Sequence, residues 1–151
     1  MKTYFKYIIS ILFMATAAYA EVTPALYVEL LIYSGRPNPT LLITDPKIIQ
    51  EVTGLVKTNP ENSGFAKGTV TPAKLGYRGF AVENLSTVNS EIEAFSVYGS
   101  DIEVKEKSAP TERRKGFRKD KRGVLEQKLI RLLEEKGLVS PELMSAIKNA
   151  K

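Results

Sequence analysis

Residues 112–122 read ERRKGFRKDKR and hold seven cations: Arg113, Arg114, Lys115, Arg118, Lys119, Lys121 and Arg122. Phe117 lies among them as a residue able to stack or wedge. Guanidinium and ammonium groups at this density bind phosphate, sulfate and carboxylate through charge-assisted hydrogen bonds. The anionic partners such chemistry selects are heparin-like glycans, lipid head groups and surfaces, and extracellular nucleic acid. The same run also reads as a solvated, mobile connection, kept basic for solubility or as a processing site. It precedes a helical pattern, where its positive charge opposes the helix macrodipole, and a bound anion would relieve that conflict.

Two segments combining glycine and arginine form a secondary candidate. In YSGRPNP (33–39), Arg36 offers a rigid five-donor fork, and Pro37 and Pro39 lower the ordering cost of binding. The plain alternative is a hairpin turn with Arg36 solvated or ion-paired. In LGYRGF (75–80), Gly76 and Gly79 flank Tyr77 and Arg78, and glycine within a strand marks a bulge or a close backbone approach. If the two segments meet, Tyr33, Arg36, Tyr77 and Arg78, with Phe80 and Tyr98, compose an aromatic–arginine recognition surface. The alternative is that Gly79 makes room for Tyr33 or Phe95 to pack over it. Asn84-Leu85-Ser86 is an N-glycosylation sequon.

Catalysis has little to rest on. The chain has no His and no Cys. This removes Ser-His-Asp and Cys-His chemistry and nearly all zinc sites. Glu91 with Glu93, and Asp101 with Glu103, share strand faces in the manner of glycosidase carboxylates, which stand roughly 5 to 9 Å apart. Solvated strand positions are the simpler account, and with no Trp there is no indole platform to hold a sugar. Neither a calcium loop nor a phosphate-binding glycine loop is present. No metal or cofactor is implied.

The elements that position these residues follow from pattern. Lys2 and Lys6, the apolar run 7–18 and Ala18-Tyr19-Ala20 read as a signal peptide (1–20) cut before Glu21. The apolar core is shorter than the ~20 residues a membrane span needs. The mature chain, 21–151, is then exported, periplasmic or secreted, and forms one domain large enough to hold a core without disulfides. Of 22 basic and 17 acidic residues, two basic ones fall in the leader, leaving a mature net charge of +3. Residues 105–122 alone carry nine basic and three acidic residues, so the positive charge is local.

Alternation predicts strands at 25–33, 40–44, 75–84, 91–99 and 101–105, with a tight turn at Gly99-Ser100. Asp45-Pro46 caps a helix reaching about Lys57. Residues 58–75 form a long connection and 106–122 a mobile basic one. A helix over 123–136 closes on Gly137, and a last helix opens at Ser140-Pro141 with Val139 and Met144 as a hydrophobic staple. The expected fold is α+β, a mostly antiparallel sheet of about five strands with three helices on one face.

The expected function is non-enzymatic binding of an anionic partner, or of a protein, through the basic segment. A structural component of an envelope or secreted assembly is the alternative, and a histidine-free carboxylate hydrolase or an inhibitor of a secreted enzyme is a third reading.

Overall fold

The computed structural model describes residues 23–32, 37–61, 76–86, 90–107 and 113–149, with main chain alone at 113 and 114. Chain order is β1 (Leu26–Ile32), β2 (Thr40–Ile43), α1 (Pro46–Thr58), β3 (Tyr77–Asn84), β4 (Ile92–Tyr98), β5 (Asp101–Lys107), β6 (Arg113–Lys119), α2 (Val124–Glu135) and α3 (Pro141–Asn149). The strands form one six-stranded sheet in the order β2-β1-β3-β4-β5-β6. Every neighbouring pair is antiparallel.

Period-two alternation builds the core. Val28, Val82, Phe95 and Val104 stand in register across β1, β3, β4 and β5, and Leu30, Phe80, Val97 and Ile102 form the next row. All eight are buried. Ile49, Val52 and Val56 of α1, Leu125, Leu129 and Leu133 of α2, and Ile147 of α3 join them in one cluster. Burying each such side chain stabilises by about 1.5–3 kcal/mol before ordering costs are subtracted.

Local signals set the ends. Asp45 Oδ1 accepts from Lys47 N at 2.8 Å, with Pro46 at the first helical position. Gly137 takes φ 65°, its N–H donating to Glu134 O while Leu138 N donates to Leu133 O. This double bond pattern is a Schellman closure. Gly99, at φ 59°, turns β4 into β5. A bulge in β3 places Tyr77 opposite Ile32 and Phe80 opposite Leu30. Gly79 sits within it at φ 88°, so close to β4 that a Cβ would lie 2.0 Å from Val97 O.

The expected count of about five strands is corrected to six. The basic run is the added strand: residues 113–119, expected in a mobile connection, pair with β5 over their whole length. The apolar alternation that betrays a strand is missing because the positions sharing a side with Ile102, Val104 and Glu106 are Arg118, Gly116 and Arg114. As an edge strand, β6 needs no second apolar face, and edge strands rich in Lys and Arg resist pairing with other chains. The far end of β6 is itself covered, since Lys119 N donates to Pro60 O at 3.3 Å and Glu61 bridges to Arg118. The expected leader, Tyr33, Arg36 and residues 62–75 lie outside the described residues.

Candidate anion-binding surface on the last two strands

The β5–β6 register decides what each cation does. Opposite pairs are Asp101–Lys119, Ile102–Arg118, Glu103–Phe117, Val104–Gly116, Lys105–Lys115, Glu106–Arg114 and Lys107–Arg113. Directly opposite residues share a face, and faces alternate along a strand. Ile102 and Val104 are buried. The opposite face therefore carries Asp101, Glu103, Lys105 and Lys107 from β5, and Lys115, Phe117 and Lys119 from β6, with position 113 in the same register.

Among the described side chains of that outward face, two lysines meet carboxylates of β5. Near the Gly99 turn, Lys119 Nζ lies 3.1 Å from Asp101 Oδ1, and Lys115 Nζ lies 3.3 Å from Glu103 Oε1. At the other end Lys105 stands opposite Lys115, and Lys107 opposite Arg113. Like charges directly opposite destabilise a ladder by roughly 0.2–1 kcal/mol per pair. Lys105, Lys107 and Lys115 are exposed, so the repulsion is screened by salt but still available to an anion. Two residues along a strand span about 7 Å, which sets the spacing from Lys105 to Lys107 and from Arg113 to Lys115.

Other members of the basic run are committed elsewhere. Arg118 is the clearest case, with a side chain only 12% exposed. Its Nη1 donates to Lys57 O at 2.9 Å and reaches Val56 O and Asn59 O at 3.4 Å, while Nη2 donates to Glu106 Oε1 at 2.6 Å. It thereby caps the C-terminal carbonyls of α1, where a cation is favoured. Lys121 and Arg122 are exposed but follow Lys119. They are thus at the end of β6 opposite Arg113, about 20 Å from it by strand rise.

The helix that follows needs no external anion. Asp120 is buried; its Oδ2 accepts from Leu125 N at 2.8 Å and its Oδ1 from Arg122 N at 3.2 Å. The expected conflict between the basic run and the α2 macrodipole is thus resolved within the chain. Glu126, fully buried in the first turn of α2, adds a second carboxyl there. Its Oε1 accepts from Tyr77 Oη at 2.6 Å and from Gly99 N at 2.8 Å, tying α2 to β3 and to the β4–β5 turn.

The secondary candidate is altered by the same contacts. Tyr77, expected to line a groove, is buried. Its ring packs 6.3 Å from Phe80 and 5.8 Å from Tyr98, so these aromatics do meet, but with Tyr77 and Phe80 in the interior. Burial first, and then the hydrogen bond and charge of Glu126, push the Tyr77 phenol far above its ordinary range. Arg78 is exposed on β3, while Tyr33 and Arg36 lie outside the described residues.

The carboxylates offer little acid–base chemistry. Glu91 is exposed and bonded to Lys57 Nζ at 2.8 Å, and that hydrogen bond and charge hold its carboxyl below the usual range. A lowered carboxyl is a poor general acid near neutral pH. Asp101 and Glu103 each face a lysine. Among the described residues no group of three or more His, Cys, Asp or Glu side chains is arranged to hold a metal. The Asn84 amide nitrogen donates to Ser90 Oγ at 2.6 Å and to Ile92 O at 3.2 Å, and a glycan attached there would replace one of the two hydrogens that these bonds use.

Sequence reasoning did not single out Lys105 and Lys107 as site residues. Their signal was alternation: DIEVKEK places Asp101, Glu103, Lys105 and Lys107 on one face. Compared with protein-family models, curated proteins and solved structures, the chain matches none.

Proposed function

We propose that this chain is an exported, non-enzymatic protein that binds an anionic polymer or surface through the outward face of β5 and β6. The ligand set is Lys105, Lys107, Arg113 and Lys115. Arg118 belongs to the scaffold. The two like-charged cross-strand positions carry the reading: Lys105 stands opposite Lys115, which also meets Glu103, and Lys107 stands opposite position 113, so the register gathers more positive than negative charge at one place on the strands. Phosphate or sulfate groups would convert that repulsion into charge-assisted hydrogen bonds.

Further support comes from layering. The buried residues of β1, β3, β4 and β5 share one cluster with those of the helices, whereas Lys105, Lys107 and Lys115 are exposed. No His and no Cys favours binding over catalysis. Export rests on the leader pattern alone, and among the described residues no helix is long and apolar enough to cross a membrane.

The test is binding to a heparin-like glycan, lipopolysaccharide, anionic vesicles and DNA over a salt series. With about four contacts to a nucleic-acid phosphate backbone, affinity falls on the order of 10²-fold between 50 and 200 mM salt. Changing Lys105, Lys107, Arg113 and Lys115 to Gln should abolish both binding and slope. Undiminished binding by that variant would overturn the assignment. A second reading, a component of an assembly joined edge to edge, draws on β2 and β6 forming the two sheet edges. It predicts concentration-dependent association that ignores salt.

A further inference from the structure

We infer that the anionic partner is a single-stranded nucleic acid, and that its amino-bearing bases are read by the sheet face beside the cations. This rests on the proposed site on β5 and β6 and narrows its ligand.

Three features of the outward face carry the inference. On β6, Phe117 stands between Lys115 and Lys119 on one face, with about 7 Å between successive members. Phe117 is half-buried. Interleaved cations and aromatics are how single strands are held without duplex geometry: cations follow the phosphates, and a ring stacks on a base. The second feature is a flat neighbourhood. From Phe117 the register runs inward through Glu103, Ser96 and Ala81, and from Lys115 through Lys105, Ala94 and Glu83. Ala81, Ala94 and Ser96 are the smallest side chains in these two rows, and a shallow depression of about 90 Å³ opens over them.

The third feature is the sign of the walls. Glu83 and Glu103 border the depression beside Lys105. Two carboxylates next to an anion site repel a sulfated glycan or a lipid phosphate that approaches more deeply. They suit a nucleobase, because cytosine N4, adenine N6 and guanine N2 are donors, and Glu accepting from cytosine N4 is an established pairing. Thymine has no exocyclic amine. The geometry thus combines phosphate contacts at Lys105 and at Lys115, the latter held 3.3 Å from Glu103, with a stacking ring at Phe117 and an acceptor at Glu83. It favours strands of C or A over T.

The experiment measures binding of the purified protein to fluorescent 12-residue oligo-dC, oligo-dA and oligo-dT, and to a heparin-like oligosaccharide of equal charge, at one salt concentration. The expected order is oligo-dC and oligo-dA at least about 10-fold tighter than oligo-dT and the glycan. Phe117→Leu keeps an apolar side chain and should weaken all three oligonucleotides by about 5- to 100-fold while leaving the glycan unchanged. Glu83→Gln should shrink the preference over oligo-dT, and being exposed, it tests the acceptor role without disturbing the core. Circular dichroism establishes that each variant is folded. Equal affinity for oligo-dC, oligo-dT and the glycan, or no effect of Phe117→Leu on DNA, overturns this inference and leaves a general polyanion site. No binding to any of the four overturns the proposed site as well.

Discussion

Arg118 belongs to the basic run by composition and to the scaffold by contact, and replacing it by alanine separates the two. Its guanidinium holds the last carbonyls of α1 through Lys57 O at 2.9 Å and holds β5 through Glu106 Oε1 at 2.6 Å. The side chain is 12% exposed and Glu106 28%, so solvent cannot fully replace either bond. Hydrogen bonds involving charged groups contribute about 1.5–3 kcal/mol each, and two sharing one side chain do not add fully. Arg118→Ala should cost about 2–4 kcal/mol, a large share of the roughly 5–15 kcal/mol that holds a typical domain. At about 3–5 °C per kcal/mol for a domain of this size, the melting temperature should fall by about 6–20 °C. Lys115→Ala, at 60% side-chain exposure, should cost no more than about 1 kcal/mol. Arg118→Lys should recover only part of the loss, because an ammonium is a point charge that cannot span both partners. Thermal and urea unfolding followed by circular dichroism read all three. Equal stability of the Arg118→Ala and Lys115→Ala variants would refute the scaffold role, as would a loss of polyanion affinity in Arg118→Ala without a loss of stability.

Gly79→Ala should cost about 3 kcal/mol or more, because the residue has φ 88° and its Cβ would meet Val97 O at 2.0 Å. Gly54→Ala, in α1 with nothing within 4 Å, should instead stabilise by about 0.5–1 kcal/mol; urea midpoints measure both. Asp120→Ala, which removes the acceptor for Leu125 N, should cost about 1–2 kcal/mol by the same assay. The Tyr77 phenol is raised in the folded state, so its contribution is intact below the unfolded phenol pKa of about 10 and is lost as pH rises above it. Unfolding free energies from pH 8 to 11 should therefore fall less steeply in Tyr77→Phe than in the wild type, and matching slopes would contradict the burial of Tyr77 beside Glu126.

Where signals are local, the fold is legible in the sequence. Asp45-Pro46 marks the start of α1, Gly99 the turn and Gly137 the Schellman closure, and each depends only on residues a few positions away. Strand β1 announces itself because one face is apolar throughout, and β4 through its apolar and aromatic residues, although a bulge between Ile92 and Ala94 breaks its alternation. β6 does not, because the positions on its core side include Gly116 and Arg118, and Arg118 reaches the carbonyls of α1, some 60 positions earlier. The same limit applied to the site. Composition found the basic segment, but only the register shows that Lys119 faces Asp101 while Lys105 faces Lys115. The buried state of Tyr77 was hidden because its partner, Glu126, reads as one more charged residue in an amphipathic helix.

The most direct test of the account compares two charge-matched variants in the salt dependence of polyanion binding. One changes Lys105, Lys107, Arg113 and Lys115 to Gln; the other changes Lys47, Lys121, Arg122 and Lys136, four exposed cations placed elsewhere. The account predicts that the first loses binding and its salt slope while the second keeps both, with at most a small decline from the lowered net charge. Equal losses in the two variants would mean that overall charge, not the face shared by β5 and β6, attracts the anion, and would contradict it.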